Sequence, residues 1–517
     1  MRLPVPAIVL ASSAALVAGV LVGASAPATA APRVTVSLPT VTAMPDGPIF
    51  TGALQDLAAR GYAESEYVVT LTEPNVYSYV GKSTRTQARK APASPQGDYR
   101  SRIIVRAPEN PEQFNGRVLV EMMNTTALID LDIAWQQAHE YLMRDGWAYV
   151  GISVQQSGLN ALRGFTRQRG RYADLGLNLM TPRAAKAGSA GLRDPSLAWD
   201  LTSQVGALID SEAPSNPLAN YAVESVFLTG QSQMAGYATT YVNAIHPRHR
   251  VFDGFLVAYR TATATNLRYA APRGGQVPST SASAAQRRLE GRGSPVISLQ
   301  TESDPLRGPE AGQMKDFQRT VWRADSDTAR DRYRLWEVPG SSHNDRWGAE
   351  QALGVLGRDT LLSLTTTCDW TAPVGVNDFP MRFVWHRALE SLAEWYETGV
   401  PPANGDRIAR SRTGTIKRDG NGNARGGIRL PRLAVPVATY TPTAAGDLFC
   451  PLTGTQAPFD AEKLAARYPL VDDYVQAVEA AVRASVEAGF LLAEDGAALV
   501  ESARRGPAAD GETIQAY

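Results

Sequence analysis

Ser232 stands in Thr229-Gly230-Gln231-Ser232-Gln233-Met234-Ala235-Gly236, between a run of apolar and β-branched residues at 225–229 and a helix-forming stretch. A serine two positions after a glycine, on a sharp turn from strand to helix, is lifted above a sheet with a helix N-terminus aimed at it. That is the placement an attacking hydroxyl needs. A serine hydroxyl is a weak nucleophile on its own; it needs a base, and the base needs a third group to hold its tautomer. The chain supplies both further on. Residues 295–300 read as a strand and run into Thr301-Glu302-Ser303-Asp304-Pro305, and residues 333–338 read as a strand and run into Pro339-Gly340-Ser341-Ser342-His343-Asn344-Asp345. His343 is the candidate base. Asp304 is the candidate acid and Glu302 the alternative; the turn resembles a G-x-x-D-P acid turn with Thr301 in the glycine position, which favours Asp304. Asp345 stands in reserve.

Cleavage of an acyl bond also needs two N–H groups for the developing oxyanion. One falls to Gln233, the residue after the nucleophile, and the other to the loop after the strand at 117–123, where Asn124 and Thr125 are the candidates. Each residue has a plainer reading as well. Ser232 is a good helix N-cap, His343 lies in a Gly-Ser loop, Asp304 precedes a proline as turn formers do, and Asn124 suits a strand end. Met234 occupies a position where a small residue normally lets helix and strand approach, and Ala235 and Gly236 are expected to supply that closeness instead.

The elements that must hold these residues alternate between short β-branched runs and amphipathic stretches. Strands are expected at 102–106, 117–123, 147–153, 225–229, 254–257, 295–300 and 333–338, and helices at 133–144, 195–209, 234–245 and 381–397. This rhythm is that of a mostly parallel sheet covered by helices. Two stretches, 154–194 and 261–294, break it with Gly, Arg, Ser and Ala and read as lid-like insertions. After about residue 400 the composition turns to Gly, Arg and Asn, followed by Ala-rich helices over 460–505.

Lys+Arg 51 against Asp+Glu 51 leaves a net charge of zero, which gives no field to gather nucleic acid. Hydrophobic residues make up 44% of the chain, enough for a large core. His246 and His249 form an H-x-x-H pair, but Pro247 interrupts the helix and no third ligand stands at a recognisable spacing. No metal or cofactor is expected. Residues 1–31 carry Arg2, an apolar stretch and a small-residue end at Ala28-Thr29-Ala30, the build of a cleaved secretory signal. Beyond them no run is long and apolar enough to span a bilayer.

Several segments together resemble the bacterial α/β-hydrolase-domain family of large, often exported serine esterases. They are Gly61-Tyr62 with Glu66-Tyr67, Val120-Glu121-Met122-Met123-Asn124, Thr229 to Gln233, Tyr241 to Pro247, Leu335 to Val338, Gly340 with His343 and Asp345, and Gly426 to Pro431. The resemblance implies an α/β-hydrolase core over 32–400 with inserted elements, a C-terminal extension at 401–517, and Ser232 and His343 as catalytic residues. The expectation is a secreted serine hydrolase acting on a small-molecule carboxylic ester. An amidase or peptidase would use the same groups, and a non-catalytic binding protein could use the same fold.

The two cysteines, Cys368 and Cys450, are expected to pair in an oxidising compartment. Closing a loop of about eighty residues would stabilise the fold by roughly 4 to 5 kcal/mol on a chain-entropy basis. Thiol titration of the denatured, unreduced protein is expected to find no free thiol; two free thiols would rule the bridge out.

Overall fold

The computed structural model describes residues 35–79, 88–92, 99–164, 169–177, 196–267, 288–306, 317–318, 320–360, 375–446 and 450–508. The expected leader at 1–31, Cys368, and much of both expected insertions lie outside these residues.

Strands form at Thr40–Ala43 (β1), Tyr62–Thr70 (β2), Asn75–Tyr79 (β3), Ala88–Pro92 (β4), Arg100–Pro108 (β5), Arg117–Met122 (β6), Ala148–Ile152 (β7), Ser225–Gln231 (β8), Gly254–Ala258 (β9), Val296–Thr301 (β10), Ser326–Thr328 (β11) and Asp331–Val338 (β12). Ten of them make one sheet in the order β1-β2-β5-β7-β6-β8-β9-β10-β12-β11, and β3 and β4 pair separately. The six strands from β7 to β12 run parallel, flanked by antiparallel neighbours at both ends. Every residue of β8 and β9 is buried, as expected of strands covered on both faces. Successive side chains serve opposite faces: Val226 and Leu228 join one buried cluster and Phe227 the other.

Helices cover the two faces. Those described include Ile133–Arg144 (α1), Gln156–Gly164 (α2), Ala198–Ile209 (α3), Gln233–Thr240 (α4), Arg346–Asp359 (α5), Met381–Thr398 (α6), Ala461–Arg467 (α7), Val471–Glu487 (α8) and Ala493–Ala503 (α9). Helix α2 falls where the composition promised only a loop, and its Leu159 and Leu162 are buried in the core. The helix expected over 234–245 is divided: α4 is followed by a wider turn at Tyr241–Ile245 and a short helix His246–His249. Pro247 sits in the first turn of that short helix, where its missing N–H is not needed. On the far face Val478, Val482 and Leu499 of the C-terminal helices share a cluster with Trp385, Leu389 and Leu392 of α6. Three short strands, Gly375–Val376 (β13), Ala438–Thr441 (β14) and Thr455–Pro458 (β15), form a separate sheet in the order β13-β15-β14.

Strand β2 was not evident in the sequence because its alternation is interrupted by Glu64 and Glu66. Both carboxylates meet buried arginines of β5. Arg106 Nε lies 2.7 Å from Glu64 and its Nη1 2.5 Å from Asp132, while Arg102 lies 3.2 Å from Glu66 and 3.1 Å from Asp130. Asp130 and Asp132 belong to the loop between β6 and α1, so two ion-paired arginines tie that loop to the sheet. Removing one partner would strand a buried charge, at about 3–5 kcal/mol.

Glu121 of β6 is wholly buried beneath the start of α1, where the Ala134 N–H donates to both carboxyl oxygens at 3.0 and 3.1 Å and the Tyr149 hydroxyl donates at 2.8 Å. Burial pushes this carboxyl up to about 8, against an ordinary 4.5. Between those two values the folded chain keeps a proton that the unfolded chain has lost, so this group makes stability fall as pH rises. Glu121→Gln is expected to flatten the decline in unfolding midpoint between pH 5 and 8; an unchanged slope in denaturant titrations at those two pH values would count against it.

Candidate active site

Strand β8 ends at Gln231, and Ser232 follows at φ 59°, ψ −114°. A non-glycine residue in that region is strained by about 1–3 kcal/mol and persists only where its surroundings hold it. Here the Ser232 N–H donates to the Ala258 carbonyl of the next strand at 3.0 Å, and the Ser232 carbonyl accepts from Ala235 N–H at 3.1 Å. A Cβ on Gly230 would lie 2.6 Å from the Met234 carbonyl oxygen, so the close approach of helix to strand falls on Gly230. This corrects the expectation that Ala235 and Gly236 provide it: a Cβ on Gly236 would meet nothing nearer than Thr265 at 3.4 Å, an ordinary contact. Met234 does no harm to the turn because its side chain is fully buried in the core, with its sulfur 4.0 Å from Gln155 Nε2.

His343 Nε2 lies 2.8 Å from Ser232 Oγ, and Nδ1 lies 2.7 Å from Asp304 Oδ1. The other oxygen of Asp304 accepts the Thr301 N–H at 2.8 Å, closing the turn after β10. Glu302 is engaged elsewhere. One of its oxygens accepts the Gly340 N–H at 2.7 Å and the other Arg418 at 2.8 Å, so it braces the backbone of the histidine loop and does not receive the imidazole. Burial raises its carboxyl, opposed by the Gly340 N–H and then by the Arg418 guanidinium. Asp345 caps α5, accepting Gly348 N–H at 2.8 Å and Gln137 Nε2 at 3.3 Å, and so is not the acid either. The Tyr259 ring packs beside His343 with centroids 5.6 Å apart, its hydroxyl accepting from Trp385 Nε1 at 2.7 Å.

The loop after β6 shows which N–H is available. Asn124 exchanges both backbone bonds with Leu131 at 2.8 Å, and Thr126 N–H donates to Asn124 Oδ1 at 2.8 Å. Asn124 is therefore corrected as a backbone donor. Among the described residues no acceptor takes the Thr125 N–H, and Gln233, as first residue of α4, has no carbonyl of its own helix to bond. Asn124 serves differently: its side-chain amide donates to the Gln231 carbonyl at 2.9 Å, pinning the loop to the end of β8. Gln231, whose Nε2 is 3.4 Å from His343 Nε2, escaped notice because a polar residue at a strand end carries no distinctive pattern.

His246 and His249 turn to separate partners. His246 Nε2 meets Ser294 Oγ at 3.0 Å, and burial pushes that imidazole down to about 3, while His249 meets Ser203 at 2.7 Å and Tyr77 at 3.2 Å. Among the described residues no group of three or more His, Cys, Asp or Glu is placed to hold a metal ion, and no helix is long and apolar enough to cross a membrane.

A sheet of this order, with a strained serine after its central strand, is accompanied by a sequence match over residues 27–501 to the family described as alpha/beta hydrolase domain. The chain belongs to that family. Comparison with curated proteins gives no match. Among solved structures this α/β hydrolase is similar to a glucuronoyl esterase from Solibacter usitatus, at 8% identity over 63% of this chain and 87% of that one, TM-score 0.30. It is similar to fungal esterases from Rhizomucor miehei at 12% identity over 56% and 83%, TM-score 0.28. It also matches a prolyl endopeptidase at 9% identity, over 53% of this chain and 40% of that one, TM-score 0.27.

Gly230→Ala is expected to lower stability by about 1–3 kcal/mol through the clash with the Met234 carbonyl. Urea denaturation reads this directly, and an unchanged midpoint would contradict the close approach.

Proposed function

We propose that this α/β hydrolase cleaves a carboxylic ester through an acyl-enzyme, with Ser232 as nucleophile, His343 as base and acid in turn, and Asp304 as the group that orients it. The observation that supports this reading is the continuous run from Asp304 through His343 to Ser232, at 2.7 and 2.8 Å. In the first half-reaction Ser232 Oγ bonds to the carbonyl carbon as its proton passes to His343 Nε2. The carbonyl oxygen becomes an oxyanion, and the N–H groups of Gln233 and Thr125 are the donors proposed for it. Collapse of the tetrahedral adduct breaks the bond to the alcohol oxygen, which leaves with the proton from Nε2. Water then repeats the sequence: His343 takes its proton, the hydroxyl adds to the acyl carbon, and the carboxylic acid departs as the proton returns to Ser232. Asp304 stays ionised and stabilises the imidazolium formed at each stage.

We further propose that the chain is exported and loses its leader after Ala30 or Ala31, in keeping with the build of residues 1–31. The Cys368–Cys450 bridge belongs to the same proposal.

Ser232→Ala and His343→Ala are each expected to reduce ester hydrolysis by about a thousandfold or more, since such groups act as a unit. Asp304→Asn is expected to cause a large loss and Glu302→Gln a small one. Steady-state turnover of p-nitrophenyl esters against the matching anilides measures these effects and distinguishes esterase from amidase. Near-native turnover in a folded Ser232→Ala protein would remove the mechanism.

A further inference from the structure

Beside Ser232 and His343 lies a cavity of about 120 Å³ between the loop after β6 and helix α5. Its walls include Ala127, Leu131, Ile133, Leu353, Leu356 and Leu452. Apart from His343, its described lining carries no titratable side chain. The walls come from three separate places in the chain. Ile133 begins α1, Leu353 and Leu356 stand three apart on one face of α5, and Leu452 arrives on the turn Cys450–Leu452. That last turn is fixed to the catalytic loop, because the Asn344 N–H donates to the Leu452 carbonyl at 2.8 Å.

We propose that this cavity receives one of the two substituents of the ester, that the substituent is a short uncharged hydrocarbon group, and that Leu353 and Leu452 set the limit on its length. The proposal rests on the ester hydrolase reading and adds the substrate class. Size supports it: an apolar cavity of roughly 150 Å³ takes a benzene ring, so this one suits a group of about four or five carbons. Chemistry supports it too, since a carboxylate or ammonium entering here would lose its water and, away from the His343 imidazole at the mouth, would find no opposite charge among the described lining residues to replace it. Leu353 and Leu452 are only partly buried in the free protein, as walls of an open cleft are, whereas Leu356 behind them belongs to the core.

The test uses two ester series, p-nitrophenyl esters with acyl chains of increasing length and acetates of alcohols of increasing length, each with a counterpart ending in a carboxylate. In one series kcat/KM should rise by about fourfold per methylene up to four or five carbons and then fall, with the carboxylate counterpart at least about tenfold poorer. Leu353→Ala and Leu452→Ala should each move the optimum in that same series to longer chains. Leu353→Lys should narrow or reverse the discrimination against the carboxylate. Fluorophosphonate labelling of Ser232 in each protein separates two kinds of failure. With labelling intact, no length optimum in either series, or an optimum that neither alanine variant moves, overturns the proposal and leaves the hydrolase reading standing. A folded protein whose Ser232 does not label removes the hydrolase reading and this proposal with it.

Discussion

The strained backbone at Ser232 is the constraint on which the arrangement depends. A serine at φ 59° would relax if either flank were free to move. Neither is. On one side β8 is hydrogen-bonded between β6 and β9 and buried along its whole length. On the other, α4 is pressed against Gly230 so closely that a single methyl group would not fit. The bond from Ser232 N–H to Ala258 adds the neighbouring strand to the clamp. The strain is thus borne by the packing of the central sheet, and its result is a hydroxyl that faces the end of β12 and not the core.

The opposing half of the site is held by charge. The loop carrying Thr125 would have little reason to keep one conformation, since Leu128 at its tip is 62% exposed and adopts φ 67°. It is fixed at its far end by Asp130 and Asp132 through Arg102 and Arg106, and at its near end by the Asn124 amide on Gln231. Buried ion pairs add little net stability compared with apolar packing, yet they are demanding in geometry. On the proposed mechanism, that suits a loop whose Thr125 N–H stays aimed at one point.

Much of this was legible in the sequence, and what was not has a physical reason. The parallel strands were visible because both their faces are buried, so consecutive apolar residues such as Val118-Leu119-Val120, Val226-Phe227-Leu228 and Phe255-Leu256-Val257 stand in β6, β8 and β9 without alternation. Ser232 and Asp304 could be nominated because they come one and three residues after β8 and β10, and His343 because it lies in the turn five residues after β12. The choice between Asp304 and Glu302 rested on a turn pattern and on the shorter, stiffer Asp side chain, since the sequence does not show what the fold brings to each carboxylate. Strand β2 was hidden by its glutamates, whose partners lie some forty residues away. The loss of Asn124 as a backbone donor was hidden for a similar reason: a pairing of one residue with Leu131 leaves no periodicity to detect.

The part of the chain after residue 400 reads by composition as an appendage, but its contacts place it against the loop that carries His343. Arg418 holds Glu302, and Glu302 holds the Gly340 N–H at the entrance to the histidine loop. Leu452 holds the Asn344 N–H at its exit. Asn377, just after β13, donates from its side chain to the Gly340 carbonyl and from its backbone to Gly454, joining the small sheet to the same loop. A loop rich in Gly and Ser has little stiffness of its own, and His343 must keep two bonds of under 3 Å at once, to groups on different strands. The bonds from residues 418, 452 and 377 supply the rigidity that the loop's own sequence lacks. The C-terminal segment therefore positions His343 as much as the strand that precedes it does.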